Sequence, residues 1–441
     1  MTIQLLTDAE FEQALQLSCY AFQVNASEER RAASRVSWNK AIHYGEVVNG
    51  NVHAKLDILP FQVTVYGKRM AMGGIAGVAS YPEYRRKGLV KKLLIQALDS
   101  MRTQGQLLSY LNPFSVPFYR AFGWEILCDE ITYTLKKHQL PKATPLTKGT
   151  LSRVPFSDSL VRDVYERKQT HGMLDRESWW WEELKRKYKS HSTAVYQDEG
   201  GNPTAYIVYQ IQENHLEVEE MIYNDLNGLN ALLSFIGQHD SMIETAELPA
   251  ASADALHYFL PDPKTKAEAS PYFMARIVDV KAFLTQFPFL VGDGGHYTIK
   301  VNDPYATWNQ ATFVLSLEEN ISCEPTTTAP QLEMSIQTLT GLLLGYQRPT
   351  FHLKHGLING EAATIRAFFG HLPNEAPVYL ILFNKKISLP GIAELQLYGK
   401  FFMMDEDKYV SLFPLAPGKR LQRVLNNPAD LLGYFVDSSF K

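Results

Sequence analysis

Apolar residues first recur at helical spacing in Phe11, Ala14, Leu15, Ser18 and Phe22, with Ser18 the small member of the face. Thr7-Asp8-Ala9-Glu10 stands before them as a capping box, predicting a helix start. A polar, charged stretch over 27–35 follows, as helix or loop. Alternating positions over 53–58, 61–65 and 70–79 predict strands, the last two joined by a hairpin turn at Tyr66-Gly67-Lys68-Arg69. The strand ending at Ser80 holds Gly73, Gly74, Ala76, Gly77 and Ala79; so many small residues imply close approach of a ligand or of backbone. Leu89, Val90, Leu93, Leu94, Ala97, Leu98 and Met101 then mark a helix. A strand over 106–111, a short helix over 116–122 stopped by Gly123, and a strand over 125–135 complete the unit. This order gives an α+β (mixed α/β) fold on a mixed sheet, not a doubly wound one.

A stretch over 141–149 reads as a linker. After helical segments at 158–168 and 177–188, the first unit's order partly recurs. Strands fall at 194–197, 204–211 and 216–223, a helix at 225–237 and a strand at 242–248. We read this as a duplication of fold, with the second copy degenerate: Asn224 to Gly228 replaces the basic loop of the first. Arg276 to Val280 starts a third region, with strands at 297–301 and 311–317, a loop at 324–330, a helix at 334–344, and strands at 379–383, 394–404 and 409–413. The expected domains are therefore 1–140, 150–285 and 286–441.

Length agrees: at roughly 100–200 residues per domain, 441 residues make two to four. The 45% hydrophobic and 20% charged residues exclude a disordered or fibrous chain. A net charge of −4 leaves no overall basic field, so no nucleic-acid partner is expected. The three cysteines form no CxxC pair, which argues against a zinc ribbon or disulfide framework and suits a reducing cytosol. The N-terminus lacks a leader pattern and no apolar run approaches about 18 residues, so the expectation is a cytoplasmic protein without a membrane partner.

Against that acidic balance, Arg85, Arg86, Lys87, Lys91 and Lys92 concentrate positive charge where a helix opens after the glycine-rich strand. Helix N-termini present unpaired N–H groups and favour anions, and Gly88 lets backbone approach a ligand. The combination suits a diphosphate; a solvated basic helix start is the plainer alternative. Neither a P-loop nor a dinucleotide fingerprint is present.

The run Gly77-Val78-Ala79-Ser80-Tyr81-Pro82-Glu83-Tyr84-Arg85-Arg86-Lys87-Gly88-Leu89 closely resembles motif A of the GNAT acetyltransferases. Pro113-Phe114-Ser115-Val116-Pro117-Phe118-Tyr119-Arg120-Ala121-Phe122-Gly123-Trp124-Glu125 resembles the Eis-like branch, and Met274 to Val280 and Asp303-Pro304-Tyr305-Ala306-Thr307-Trp308-Asn309 fit it too. The resemblance implies an active GNAT domain, a degenerate one, a sterol-carrier-protein-like domain, and a hexamer. It implies an N-acetyltransferase moving acetyl from acetyl-CoA, the co-substrate, to a primary amine such as a polyamine, an aminoglycoside-like polycation or a lysine side chain. By resemblance, the backbone of Val78, Ala79 and Ser80 pairs with the pantetheine arm, with the Val78 N–H an oxyanion donor. The loop of Arg85, Arg86, Lys87, Gly88, Leu89 and Val90 cradles the pyrophosphate, and Pro113 and Phe114 line the cofactor. Tyr119 is then the general acid; from the residues alone a core tyrosine in an aromatic cluster is the favoured reading, and the motif is what turns it toward catalysis.

In Eis-like proteins the chain's own terminal carboxylate is the base, on a short tail that here corresponds to Pro377 to Phe383. This chain continues to Lys441, whose carboxylate is the expected counterpart, with another carboxylate or a water chain as the alternative. His171, His191, His352 and His355 show no metal spacing, and no metal is expected. Trp179-Trp180-Trp181 reads as a helix face packing between domains. The competing function is a binding protein that holds CoA without turnover and an apolar ligand in the sterol-carrier-like domain.

Overall fold

The computed structural model describes residues 3–143, 146, 148–251 and 254–378. Lys441 and the strands expected beyond residue 378 lie outside the described residues. The capping box forms: the Glu10 carboxylate accepts from the Thr7 N–H at 2.7 Å and from its hydroxyl at 2.8 Å. It heads one 3-10 turn, Asp8–Glu10, and α1 (Phe11–Phe22) follows. The buried face of α1 is broader than its spacing predicts. Leu17 and Cys19 are buried and Phe22 is exposed, because the helix contributes to two separate clusters. The polar stretch is a helix, α2 (Glu28–Trp38), capped by the Ser27 hydroxyl.

After β1 (Ile3–Leu5), the strands β2 (Ile42–Val48), β3 (Asn51–Val65) and β4 (Lys68–Ser80) form an antiparallel meander. The pattern missed β2 and split β3 at Pro60. Pro60 is tolerated mid-strand because it falls where neither outer neighbour pairs: β2 ends opposite Ile58, and β8 (Leu174–Asp175) begins opposite Gln62. Helix α3 (Leu89–Thr103) packs Leu93, Leu94, Ala97 and Leu98 onto Leu56, Ile58 and Ile75. Each fully buried leucine there contributes roughly 1.5–3 kcal/mol. Then come β5 (Leu108–Leu111), α4 (Val116–Ala121) and β6 (Glu125–Lys136).

The second unit contains β7 (Thr150–Val154), α5 (Ser159–Lys168), α6 (Ser178–Lys187), β9 (Ser192–Gln197), β10 (Pro203–Gln212), β11 (His215–Tyr223), α7 (Leu226–Gly237) and β12 (Thr245–Ala251). It closes with β13 (Lys266–Ile277), which corrects the expectation that Arg276 opens a third region. The chain re-enters the first unit here: β13 lies between β5 and β6, antiparallel to both. One sheet therefore runs β1-β2-β3-β4-β5-β13-β6-β12-β11-β10-β9-β7 across both units.

The third unit opens with α8 (Val280–Gln286). Its own sheet comprises β14 (Gly295–Asn302), β15 (Ala311–Leu317), β16 (Ser322–Thr326), β17 (Leu332–Ser335) and β18 (Asn359–Gly360), ordered β16-β15-β14-β17-β18. Part of the expected 324–330 loop is thus strand, held on β15. Helices α9 (Ile336–Leu343), α10 (Pro349–Lys354) and α11 (Ala362–Phe369) follow. Among the described residues no helix is long and apolar enough to cross a membrane.

Candidate active site

Strands β4 and β5 run parallel and pair only from Met72–Gly74 against Leu108–Tyr110. Beyond Gly74, β4 keeps β3 on one edge and, among the described residues, has no strand on the other, while β5 continues on β13. A bulge bends β4 in this stretch: Ala76 opposes Asp57 and Ala79 opposes Lys55, so Gly77 and Val78 together face Leu56. Gly77 has φ +57°, and a Cβ there would lie 2.1 Å from Asp57 Oδ2. The glycines of β4 thus admit the protein's own side chains; a Cβ on Gly73 would meet the Met101 sulfur at 2.3 Å.

Beside the bulge, Asp57 accepts from Lys55 Nζ at 2.5 Å and lies 2.7 Å from His43 Nδ1. Burial pushes the Asp57 carboxyl up, but Lys55 and then His43 outweigh it and hold it below its ordinary value. This cluster was not legible in the chain. His53, Lys55 and Asp57 alternate as a solvent-facing strand edge does, and only tertiary packing buries His53 and Lys55 and half-buries Asp57.

From Ser80 the chain makes a 3-10 turn, Pro82–Tyr84, and enters α3 through Gly88 at φ +71°. That helix has no side-chain cap and no acidic residue in its first turn, so its leading N–H groups are left for a ligand. Arg85, Arg86, Lys87, Lys91 and Lys92 are exposed around it. Tyr84 is stacked on His53 at 3.6 Å between ring centres, with Lys87 Nζ 5.0 Å from its ring. Leu89 is buried and anchors the helix start in the core.

Across the opening, Ser115 caps α4 by accepting from the Phe118 N–H at 3.4 Å. Tyr119 is 3% exposed and packs edge-on against Phe118, Phe114 and Trp124. Burial alone raises its phenol well above the ordinary value, so the hydroxyl stays protonated. Tyr119, Leu89, Val78 and Val90 share one apolar cluster. The structure therefore brings the expected residues Val78, Ala79, Ser80, Arg85 to Val90 and Tyr119 to one region. Pro113 and Phe114 follow β5 at its rim, Phe114 with 73% of its surface exposed. Arg120 faces away from this role and is bound to Glu125.

The second unit repeats the geometry without the anion site. Strands β11 and β12 run parallel over only His215–Glu217 and then part. The gap is filled by the buried Arg176–Glu220 ion pair, with Lys168, Tyr223 and Asp254 lining what remains. Asp225 caps α7, accepting from Gly228 N–H at 2.7 Å. A carboxylate thus stands where the first unit leaves donors open, and it repels phosphate.

His171 lies buried between Tyr66 and the Leu344 carbonyl, and His355 packs on Phe351. His191 sits beside Glu219 and His352 is buried in the third unit. No group among the described residues is arranged to hold a metal ion. Trp179 and Trp180 pack on Phe61 of the first unit and Trp181 on Tyr165.

Residues 2–127 and 172–277 each match an acetyltransferase (GNAT) domain family, and residues 280–379 match a sterol carrier protein domain. The chain belongs to the GNAT acetyltransferases, in the Eis-like arrangement of two GNAT domains followed by a sterol-carrier domain, and it is an acetyltransferase. A solved Enterococcus faecalis protein described as a probable N-acyltransferase is 30% identical, with TM-score 0.81 over 86% of this chain and 98% of that one. Eis1 of Mycobacterium abscessus shares the fold at 21% identity and TM-score 0.72, over 86% of this chain and 98% of that one. An uncharacterized N-acetyltransferase of Streptomyces avermitilis is 24% identical over 348 residues, 72% of this chain and 82% of the relative.

Proposed function

We propose that the protein transfers acetyl from acetyl-CoA to the nitrogen of a primary amine, with Tyr119 as general acid. One observation carries this reading: the β4–β5 pair opens between an uncapped helix start, α3, and a buried tyrosine with a protonated hydroxyl. The pyrophosphate would sit on the α3 N–H groups among Arg85, Arg86 and Lys87, with Gly88, Leu89 and Val90 forming the turn. The pantetheine arm would add to the unpaired β4 edge at Val78, Ala79 and Ser80, as a strand adds to a sheet. Pro113 and Phe114 would cover it from the rim.

An aliphatic amine with a pKa of about 10.4 is neutral in only about four molecules in ten thousand at pH 7, so it must lose a proton before it attacks the thioester carbon. Attack forms the C–N bond and puts negative charge on the carbonyl oxygen, for which the Val78 N–H in the bulge is the proposed donor. Collapse breaks the C–S bond, and the Tyr119 hydroxyl gives its proton to the departing sulfur. The carboxylate of Lys441 is the proposed base, by resemblance. Acceptors of the class are polyamines, aminoglycoside-like polycations and lysine side chains, and a cytoplasmic homohexamer is the proposed state.

Thiol release from acetyl-CoA across an amine panel tests the reading. Saturable release with at least one primary amine is expected. Tight CoA binding with no release for any amine would overturn it. Removing the residues after 383 tests the base: loss of turnover supports Lys441, and retained turnover excludes it.

A further inference from the structure

The Asp303 to Asn309 stretch and Arg276 are absorbed by neither half of the acetyl-CoA site, yet Arg276, Asp303, Ala306 and Asn309 are buried beside it. Helix α4 has only six residues, and its end is closed locally by the Phe122 and Trp124 N–H groups on the Tyr119 carbonyl and the Gly123 N–H on the Arg120 carbonyl; side chains from the other units add to these. The Phe122 carbonyl accepts from Arg276 Nη1. The Arg120 carbonyl accepts from Gln337 Nε2 of α9 at 2.9 Å. Arg276 is itself fixed by Asp303, which takes its Nη2 on both carboxylate oxygens at 2.7 and 2.6 Å, both residues being fully buried. Asp303 in turn accepts from the N–H groups of Tyr305 and Ala306 and from Asn309 Nδ2. The Arg276 guanidinium lies 5.4 Å from the Trp124 ring, which packs edge-on against Tyr119. Gly123 is needed for this approach, since a Cβ there would fall 1.7 Å from Arg276 Nη1.

These residues come from the three matched regions: Phe122 from the first GNAT match, Arg276 from the second, Asp303 and Gln337 from the sterol-carrier match. The same stretch also reaches the other wall of the site. Tyr305 packs on Phe122 at 5.0 Å between ring centres, and Lys91 Nζ of α3 lies 5.3 Å from its ring. A cation at the carboxyl end of α4 is favoured by the helix dipole, and moving either member of a fully buried pair away from the other would leave an uncompensated charge.

We propose that Arg276, Asp303 and Gln337 are positioning residues for acetyl transfer: the degenerate GNAT domain and the sterol-carrier domain set the orientation of Tyr119 by clamping the carboxyl end of its helix. The sterol-carrier domain is then a working part of the acetyltransferase site. This rests on the reading of Tyr119 as the acid.

The test is a double-mutant cycle in the full chain, R276M/D303L against Y119F, with the acceptor that the amine panel selects. Replacing a buried pair by apolar residues of similar volume preserves folding in many proteins, which the thermal midpoint checks. In a folded R276M/D303L protein, kcat is expected to fall at least tenfold, with KM for acetyl-CoA within twofold. Added to Y119F, the same pair is expected to cost nothing more, because residues acting through one group are not additive. Wild-type kcat in R276M/D303L, or losses that multiply with that of Y119F, would overturn the clamp. If R276M/D303L does not fold, Q337A decides. A severalfold fall in kcat that vanishes in the Y119F background supports the clamp, and unchanged kcat overturns it. Wild-type kcat in Y119F alone would instead sink the general-acid reading, whatever the clamp does.

Discussion

At the scale of single residues, burial rather than sequence position decides what a side chain can do. Tyr119 is a phenol in an aromatic cluster whose hydroxyl proton is retained because its anion is desolvated. Tyr119→Phe is expected to lower kcat by 10²-fold or more while KM for acetyl-CoA moves less than twofold, as steady-state kinetics will show. Phenolate absorbance should reveal no ionisation of Tyr119 until pH passes the ordinary tyrosine value of about 10. A wild-type minus Y119F difference signal below that pH would contradict the burial argument. Asp57 is the opposite case, an anion held by Lys55 and His43. A carboxyl lowered on folding contributes stability above its unfolded pKa of about 3.9, and loses that contribution as pH falls through its folded value. The thermal midpoints of wild type and D57N should therefore converge below about pH 4; a constant gap down to pH 2 would assign Asp57 no such role.

The next scale is the element, where two copies of one fold differ at a helix start. Helix α3 begins after an uncapped glycine with φ +71°, and α7 begins after Asp225, whose carboxylate takes the Gly228 N–H of the first turn. Writing that difference into the first copy should abolish its anion site. Gly88→Asp is expected to weaken CoA binding at least tenfold, and Gly88→Asn much less. Asn has the same shape and also tolerates the left-handed region, so the contrast isolates charge. Calorimetric titration with CoA measures both, and equal affinities in the two variants would contradict phosphate docking on α3. The basic loop was legible because it breaks the chain's charge balance. The bulge at Gly77 was not: a register shift between β3 and β4 leaves no mark in a run of small residues.

For the whole molecule, continuity of the sheet is the governing fact. β13 leaves the second unit and runs between β5 and β6 of the first, and Arg276 near its end is locked to Asp303 of the third. Unfolding any one unit strips a strand or a buried charge partner from another, so the three should melt together. Differential scanning calorimetry is expected to show one transition, and well-separated transitions would show the units to be independent. The chain by itself determined the local elements, the repeated helix-and-strand order, the anion loop and the Tyr119 motif. These depend on periodicity and neighbouring residues, which the linear order preserves. It did not determine that β13 returns to the first unit, that Lys55 is buried on Asp57, or that Asp303 acts through Arg276 on the end of the Tyr119 helix. Those are contacts between residues tens to nearly two hundred positions apart along the chain, or across a bulge, and only the packed structure brings them together.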